Sequence, residues 1–163
     1  MIPFYTYFPD LAARETRTVT LQGRDDIPDG EYGLVEFYCD EPDCDCRRVI
    51  FRVVSAPPHR RTWATINYGW ETPEFYARWM RDAEMAAKLQ GATLEPFGPQ
   101  SKYSSAFLEL VQWVLQDKAY VRRLQTHYRL FKEAVAARQA ARRNRPQGRR
   151  QSPKRQSSKG RKL

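Results

Sequence analysis

The spacing of apolar residues changes midway along the chain. Between Leu34 and Tyr68 they alternate with polar residues, and after Thr72 they recur every three or four positions. Alternation marks half-buried strands, and the longer spacing marks one face of a helix. Three runs alternate. Leu34 to Cys39 places Val35, Phe37 and Cys39 on one side. Arg47 to Val54 sets Val49, Phe51 and Val53 against Arg48, Ile50 and Arg52. Thr62 to Tyr68 sets Trp63, Thr65 and Asn67 against Ala64, Ile66 and Tyr68. The β-branched run Thr16 to Leu21 adds a further strand. The connections DEPDCD and SAPPHRR suit antiparallel neighbours. The pattern predicts a meander of three to four strands with one face covered.

The second half predicts about three helices. Thr72 suits an N-cap and Pro73 the first helical position. Phe75, Tyr76, Trp79, Met80, Ala83 and Ala87 then follow at helical spacing until Gly91, and LEPFGPQ reads as a turn. Ser101 or Ser104 opens a second helix with Phe107, Leu110, Val111, Val114 and Leu115 on one face. Asp117 caps a third, with a stripe of Val121, Leu124, Tyr128, Phe131 and Val135. Such stripes pack cores. The band Trp63, Asn67, Trp70, Glu71, Tyr76 and Trp79 reads as the sheet–helix interface. The first ten residues, with Pro3 and Pro9, read as an irregular segment. The fold class is therefore α+β: a small antiparallel sheet covered by helices.

Charge divides the chain in two. The 163 residues carry a net +9. Residues 1–140 hold 18 Lys and Arg against 19 Asp and Glu, whereas residues 141–163 hold ten cations and no acid. The boundaries predicted are a globular domain over 1–141 and a disordered basic tail over 142–163, since the tail has too few apolar groups to offset the entropy of ordering. Its cations Arg142, Arg143, Arg145, Arg149, Arg150, Lys154, Arg155, Lys159, Arg161 and Lys162 are candidates for contacts with RNA or DNA phosphates. The tail has no aromatic for stacking, so base selectivity is not expected of it. The chain start has no basic, apolar signal pattern, and no stretch has the ~18 apolar residues of a membrane span. With an odd cysteine count, this predicts reduced thiols and a cytoplasmic protein.

All three cysteines fall in FYCDEPDCDCRRV, as Cys39, Cys44 and Cys46. A hairpin there brings them together, and thiolates are the preferred ligands of structural zinc. The fourth ligand is sought among Asp40, Asp43, Asp45 and Glu71, or in a water. His59 is excluded, because the strand between places it ~26 Å from the tip. His127 can serve only if the third helix crosses the tip. Acidic neighbours disfavour a reactive thiolate but favour a bound cation. Zinc binding, free thiols packed in a turn, and redox or nucleophilic chemistry all stay open.

The stretches GEYGLVEFYCDEPDCDCRRVIFRVVS, WATINYGWETPEFYARWM, PQSKYSSAFLELVQWVLQD and YVRRLQTHYRLFK resemble a family of uncharacterised small bacterial proteins with this cysteine hairpin, over about Gly30 to Lys132. The resemblance implies no activity. Some members end in a SEC-C motif. The tail here matches it only at Gly148, Arg149, Ser157, Lys159 and Lys162 and has none of its cysteines, so no metal-binding role carries over.

No Gly-rich phosphate loop, His-Glu-x-x-His helix or G-x-S-x-G elbow is present. The leading expectation is a non-enzymatic binding protein. One alternative is a metal- or thiol-dependent enzyme using the Cys/Asp tip; another is a partner-protein adaptor using the third helix.

Overall fold

The structure, a computed structural model, describes residues 1–80 and 82–144 of the chain. It is an α+β fold with a six-stranded antiparallel sheet and five α-helices. The strands are β1 (Ile2–Pro3), β2 (Arg17–Leu21), β3 (Gly30–Tyr38), β4 (Arg48–Ser55), β5 (Thr62–Gly69) and β6 (Gly91–Leu94). The helices are α1 (Pro9–Glu15), α2 (Pro73–Met80), α3 (Ala83–Ala87), α4 (Ser104–Val114) and α5 (Lys118–Arg143), with a 3-10 turn at Phe4–Thr6. Strands β3, β4, β5 and β6 are consecutive neighbours, and β1 and β2 share the free edge of β3, one at each end.

The helices α4 and α5 and the N-terminal segment cover one face of the sheet. Register places Leu34 opposite Val53, Glu36 opposite Phe51, and Phe51 opposite Ile66. These residues, with Tyr32, Tyr38, Val49 and Ala64, are buried beneath Phe107, Val111, Leu124 and Phe131. Each large apolar side chain removed from water contributes roughly 1.5–3 kcal/mol, so this seam is the main source of stability. The opposite face is covered only over β5. There Thr65 Oγ1 donates to the Pro99 carbonyl and Asn67 Nδ2 to the Leu89 carbonyl. Gly69 and Gly98 permit that covering, because a Cβ at either would collide with Leu89 and Tyr76, or with Thr65.

The structure departs from the sequence reading in five places. The N-terminal segment is ordered as β1, the 3-10 turn and α1 rather than irregular. The expected single helix after Thr72 is two, because Asp82 starts a second by accepting from the Glu84 and Met85 amides. Residues after Gly91 form an edge strand instead of a turn, pairing with Ile66–Tyr68. In β3 the core side is Tyr32, Leu34, Glu36 and Tyr38, opposite in phase to the Val35, Phe37 and Cys39 face. Finally, α5 continues through Arg143 with Asn144 as its C-cap, so Arg142 and Arg143 belong to a helix and the boundary drawn at 141 falls inside it. Arg145, Arg149, Arg150, Lys154, Arg155, Lys159, Arg161 and Lys162 lie outside the described residues.

Asp117 caps α5 by accepting from the Ala119 and Tyr120 amides. The buried stripe of α5 is Tyr120, Leu124, His127, Tyr128, Phe131 and Val135. It is spent on the core, which removes the exposed apolar stripe that an adaptor reading of this helix requires. No described helix is long and apolar enough to cross a membrane.

Candidate metal centre

The three cysteines sit in the connection between β3 and β4. The last residue pair before it is Phe37 with Ile50, so this is a wide loop rather than a tight tip. Its one internal backbone bond runs from the Cys44 amide to the Glu41 carbonyl. The exit is set by Arg47, whose φ of 42° is left-handed. That conformation costs a non-glycine residue about 1 kcal/mol or more, and three contacts hold it. The Arg47 amide donates to Tyr128 Oη at 3.4 Å, its carbonyl accepts from Tyr76 Oη at 2.7 Å, and its guanidinium pairs with Asp45 and Glu71. The turn aims Cys46 inward, where it is 1% exposed.

The sulfurs of Cys39, Cys44 and Cys46 all lie within 4.8 Å of one another. Four thiolates at ~2.3 Å around a tetrahedral zinc sit ~3.8 Å apart, so a small contraction brings these three to coordination distance. Three close cysteines of this kind could hold a metal ion. Cys39 and Cys46 are buried in the main core cluster, and Cys44 packs against it half-exposed.

The acidity of the thiols is unequal. Hydrogen bonding from Cys46, helped by the Glu41 amide, Cys44 and Lys132, lowers Cys39 to about 5 despite burial. Cys46 is pushed up, chiefly because it donates to Cys39 and because it is buried. Burial is the main reason Cys44 is raised. Without a cation the cluster therefore holds its negative charge on Cys39, with two S–H groups as donors. A divalent or soft monovalent ion would displace those protons, as thiolate coordination requires.

No described carboxylate or imidazole joins the three sulfurs within 4.8 Å. Three of the four carboxylates expected as a fourth ligand are engaged elsewhere. Asp40 pairs with the Met1 ammonium at 2.9 Å, Asp45 with Arg47 and the Tyr128 hydroxyl, and Glu71 with Arg47. Asp43 is exposed. Helix α5 does cross the loop, but through Tyr128 and through Lys132, which donates to the Glu41 carbonyl. His127 is turned away. His59 lies beyond the far end of β4, in a groove with Trp63 and Arg61.

His127 instead organises a buried cluster that the sequence reading did not identify. Its Nδ1 lies 2.8 Å from Glu36 Oε2 and its Nε2 lies 3.1 Å from Glu15 Oε2. Tyr38 Oη donates to the same Glu36 oxygen at 2.8 Å, and Phe4 stacks on the imidazole at 4.3 Å. Both ring nitrogens face carboxylate oxygens, so both must donate, and the ring is an imidazolium. Burial alone would lower the pKa of His127, but the two carboxylates outweigh it and the net shift is upward. The available signal was phase: Glu36 shares its side of β3 with Leu34 and Tyr38, and His127 follows Leu124 by three positions.

None of the described grooves of 280–640 Å³ is lined by a cysteine. Comparison with protein-family models found no match, and searches of curated proteins and of solved structures found none either.

Proposed function

We propose that this is a non-enzymatic binding protein, in which Cys39, Cys44 and Cys46 hold a structural zinc ion and the basic C-terminal segment contacts RNA or DNA. The observation that carries the metal half is the convergence of three sulfurs, two of them buried in the core. A zinc ion there would tie the β3–β4 connection to α5 and leave one position for a water. Catalytic zinc sites open onto space for substrate, and no described groove reaches the sulfurs, which favours a structural role. The nucleic-acid half rests on the ten cations without an acid in residues 141–163.

Elemental analysis of protein purified without chelator tests the metal. About one zinc per chain is expected, with thiols blocked from alkylation until the metal is removed. A metal content near zero in zinc-replete protein would overturn it. For the second half, replacing the eight cations of residues 145–163 by Gln should weaken binding to a labelled oligonucleotide and flatten its salt dependence. Equal binding by both proteins would remove that role.

A further inference from the structure

A groove of about 430 Å³ runs between the cysteine loop, the N-terminal segment and the last turns of α5. Its walls include Asp40 and Pro42 from the loop, Tyr7 from the N-terminal segment, and Arg138, Gln139 and Arg142 from α5. The volume is that of a ligand pocket, for which about 300–1,000 Å³ is usual. The charge of Asp40 is met by the Met1 ammonium. Among the described residues neither Arg138 nor Arg142 is paired with a carboxylate, so the groove is net positive. The Arg138 guanidinium lies over the Tyr7 ring, 5.1 Å from its centre, and Phe131 supports Tyr7 from beneath at 5.0 Å. Aromatic rings and guanidinium planes are the surfaces on which unpaired bases stack. Arg142 lies one helical turn beyond Arg138, placed for a phosphate, and Gln139 offers an amide that can both donate and accept.

We infer that this groove binds single-stranded nucleic acid, seating a base against the Tyr7–Arg138 pair and a neighbouring phosphate on Arg142. The inference rests on the proposed nucleic-acid role and gives it a place on the folded domain. The groove opens where α5 ends, two residues before the first of the eight cations of residues 145–163. A strand leaving it therefore meets charge of the matching sign. A duplex does not fit the argument, because its bases are already stacked on each other.

The test uses the full chain and a fluorescein-labelled 12-nucleotide oligouridylate, with oligothymidylate and an abasic strand of equal length, followed by anisotropy between 50 and 200 mM KCl. Arg138→Gln with Arg142→Gln should weaken oligouridylate binding about tenfold and reduce the salt slope by about 1.4, at ~0.7 per lost phosphate contact. Arg138→Lys keeps the charge but not the plane. It should hold the wild-type slope while losing the preference for a base-bearing strand over the abasic one. Equal binding of uridylate and thymidylate supports a base seat that ignores the sugar; loss of the thymidylate alone supports one that reads the 2′-hydroxyl. If the double variant matches wild type in affinity and slope while the Gln-substituted 145–163 variant loses binding, the groove is overturned and the role of the basic segment stands. If the wild type binds none of the strands, both fall. Equal wild-type affinity for the abasic strand, or displacement by polyglutamate as effective as by oligouridylate, overturns the groove as a nucleic-acid site.

Discussion

Cys39, Cys44 and Cys46 come from eight consecutive residues, whereas Glu15, Glu36 and His127 come from three elements, with ring-to-carboxylate pairs 91 and 112 positions apart. The cysteine loop is half-exposed and its polar neighbours are surface ion pairs. The histidine cluster is sealed by Phe4, with His127 and Glu36 side chains 3% and 4% exposed. Loop thiols can be arranged by local chain geometry and await an ion from outside. The buried charges carry their own counter-charges and need the finished fold to bring them together. A metal can be removed from the first region and leave the sheet and helices intact. Nothing can be removed from the second without leaving a charge in the core.

The largest effect expected is on the loop. Cys46→Ser replaces the most buried sulfur by a harder oxygen and should lower metal affinity by more than the ~100-fold seen on losing an outer partner, measured by chelator competition. Unchanged affinity would show that the three thiols do not act as one centre.

Glu36→Gln tests the other side of the comparison. It leaves imidazolium and Glu15 without their buried partner and should cost about 3–5 kcal/mol, read by urea denaturation. The pH dependence has a definite sign. The folded pKa of His127 is raised, so its contribution is fully present below the unfolded value of about 6.5 and fades as pH rises through the folded value. The gap between wild type and Glu36→Gln should therefore be widest near pH 6 and narrow at alkaline pH. A gap that widens with pH would mean that His127 is neutral in the fold.

These contrasts also explain what could be read from the sequence. Val49, Phe51 and Val53 declare their strand and their face because β4 has neighbours on both sides and every other residue is large and apolar. The metal candidates were visible because all three fall within one turn of chain. Glu36 was hidden because a carboxylate in an alternating run reads as the solvent side. Its true side is decided by His127, a contact that no local pattern encodes. β6 was missed for a related reason: Gly91–Leu94 is short and becomes a strand only by pairing with β5. The Tyr7–Arg138 pair joins the two ends of the described chain and was equally invisible.

Two smaller changes sharpen the contrast. Glu15→Gln removes the outer, one-third exposed partner of His127 (33% exposed). Solvent screening should hold its cost to about 1 kcal/mol, well below that of Glu36→Gln. Asp45→Asn alters a carboxylate that is 57% exposed and engaged by Arg47. It should change stability by about 0.5 kcal/mol or less and leave metal affinity within about twofold. A large loss of metal would identify Asp45 as the fourth ligand after rearrangement.

The seating of the N-terminal segment has a consequence for how the chain is made. Phe4 and Glu15 emerge early in synthesis, yet their partner His127 lies on the last helix. Closing so long a loop is entropically slow and must precede the contacts that stabilise it. Until α5 is complete, Phe4, Phe8 and the edge of β3 have no permanent cover. The nascent protein therefore passes through a stage with an open sheet edge and bare aromatics, and the final helix is the event that ends its exposure to aggregation.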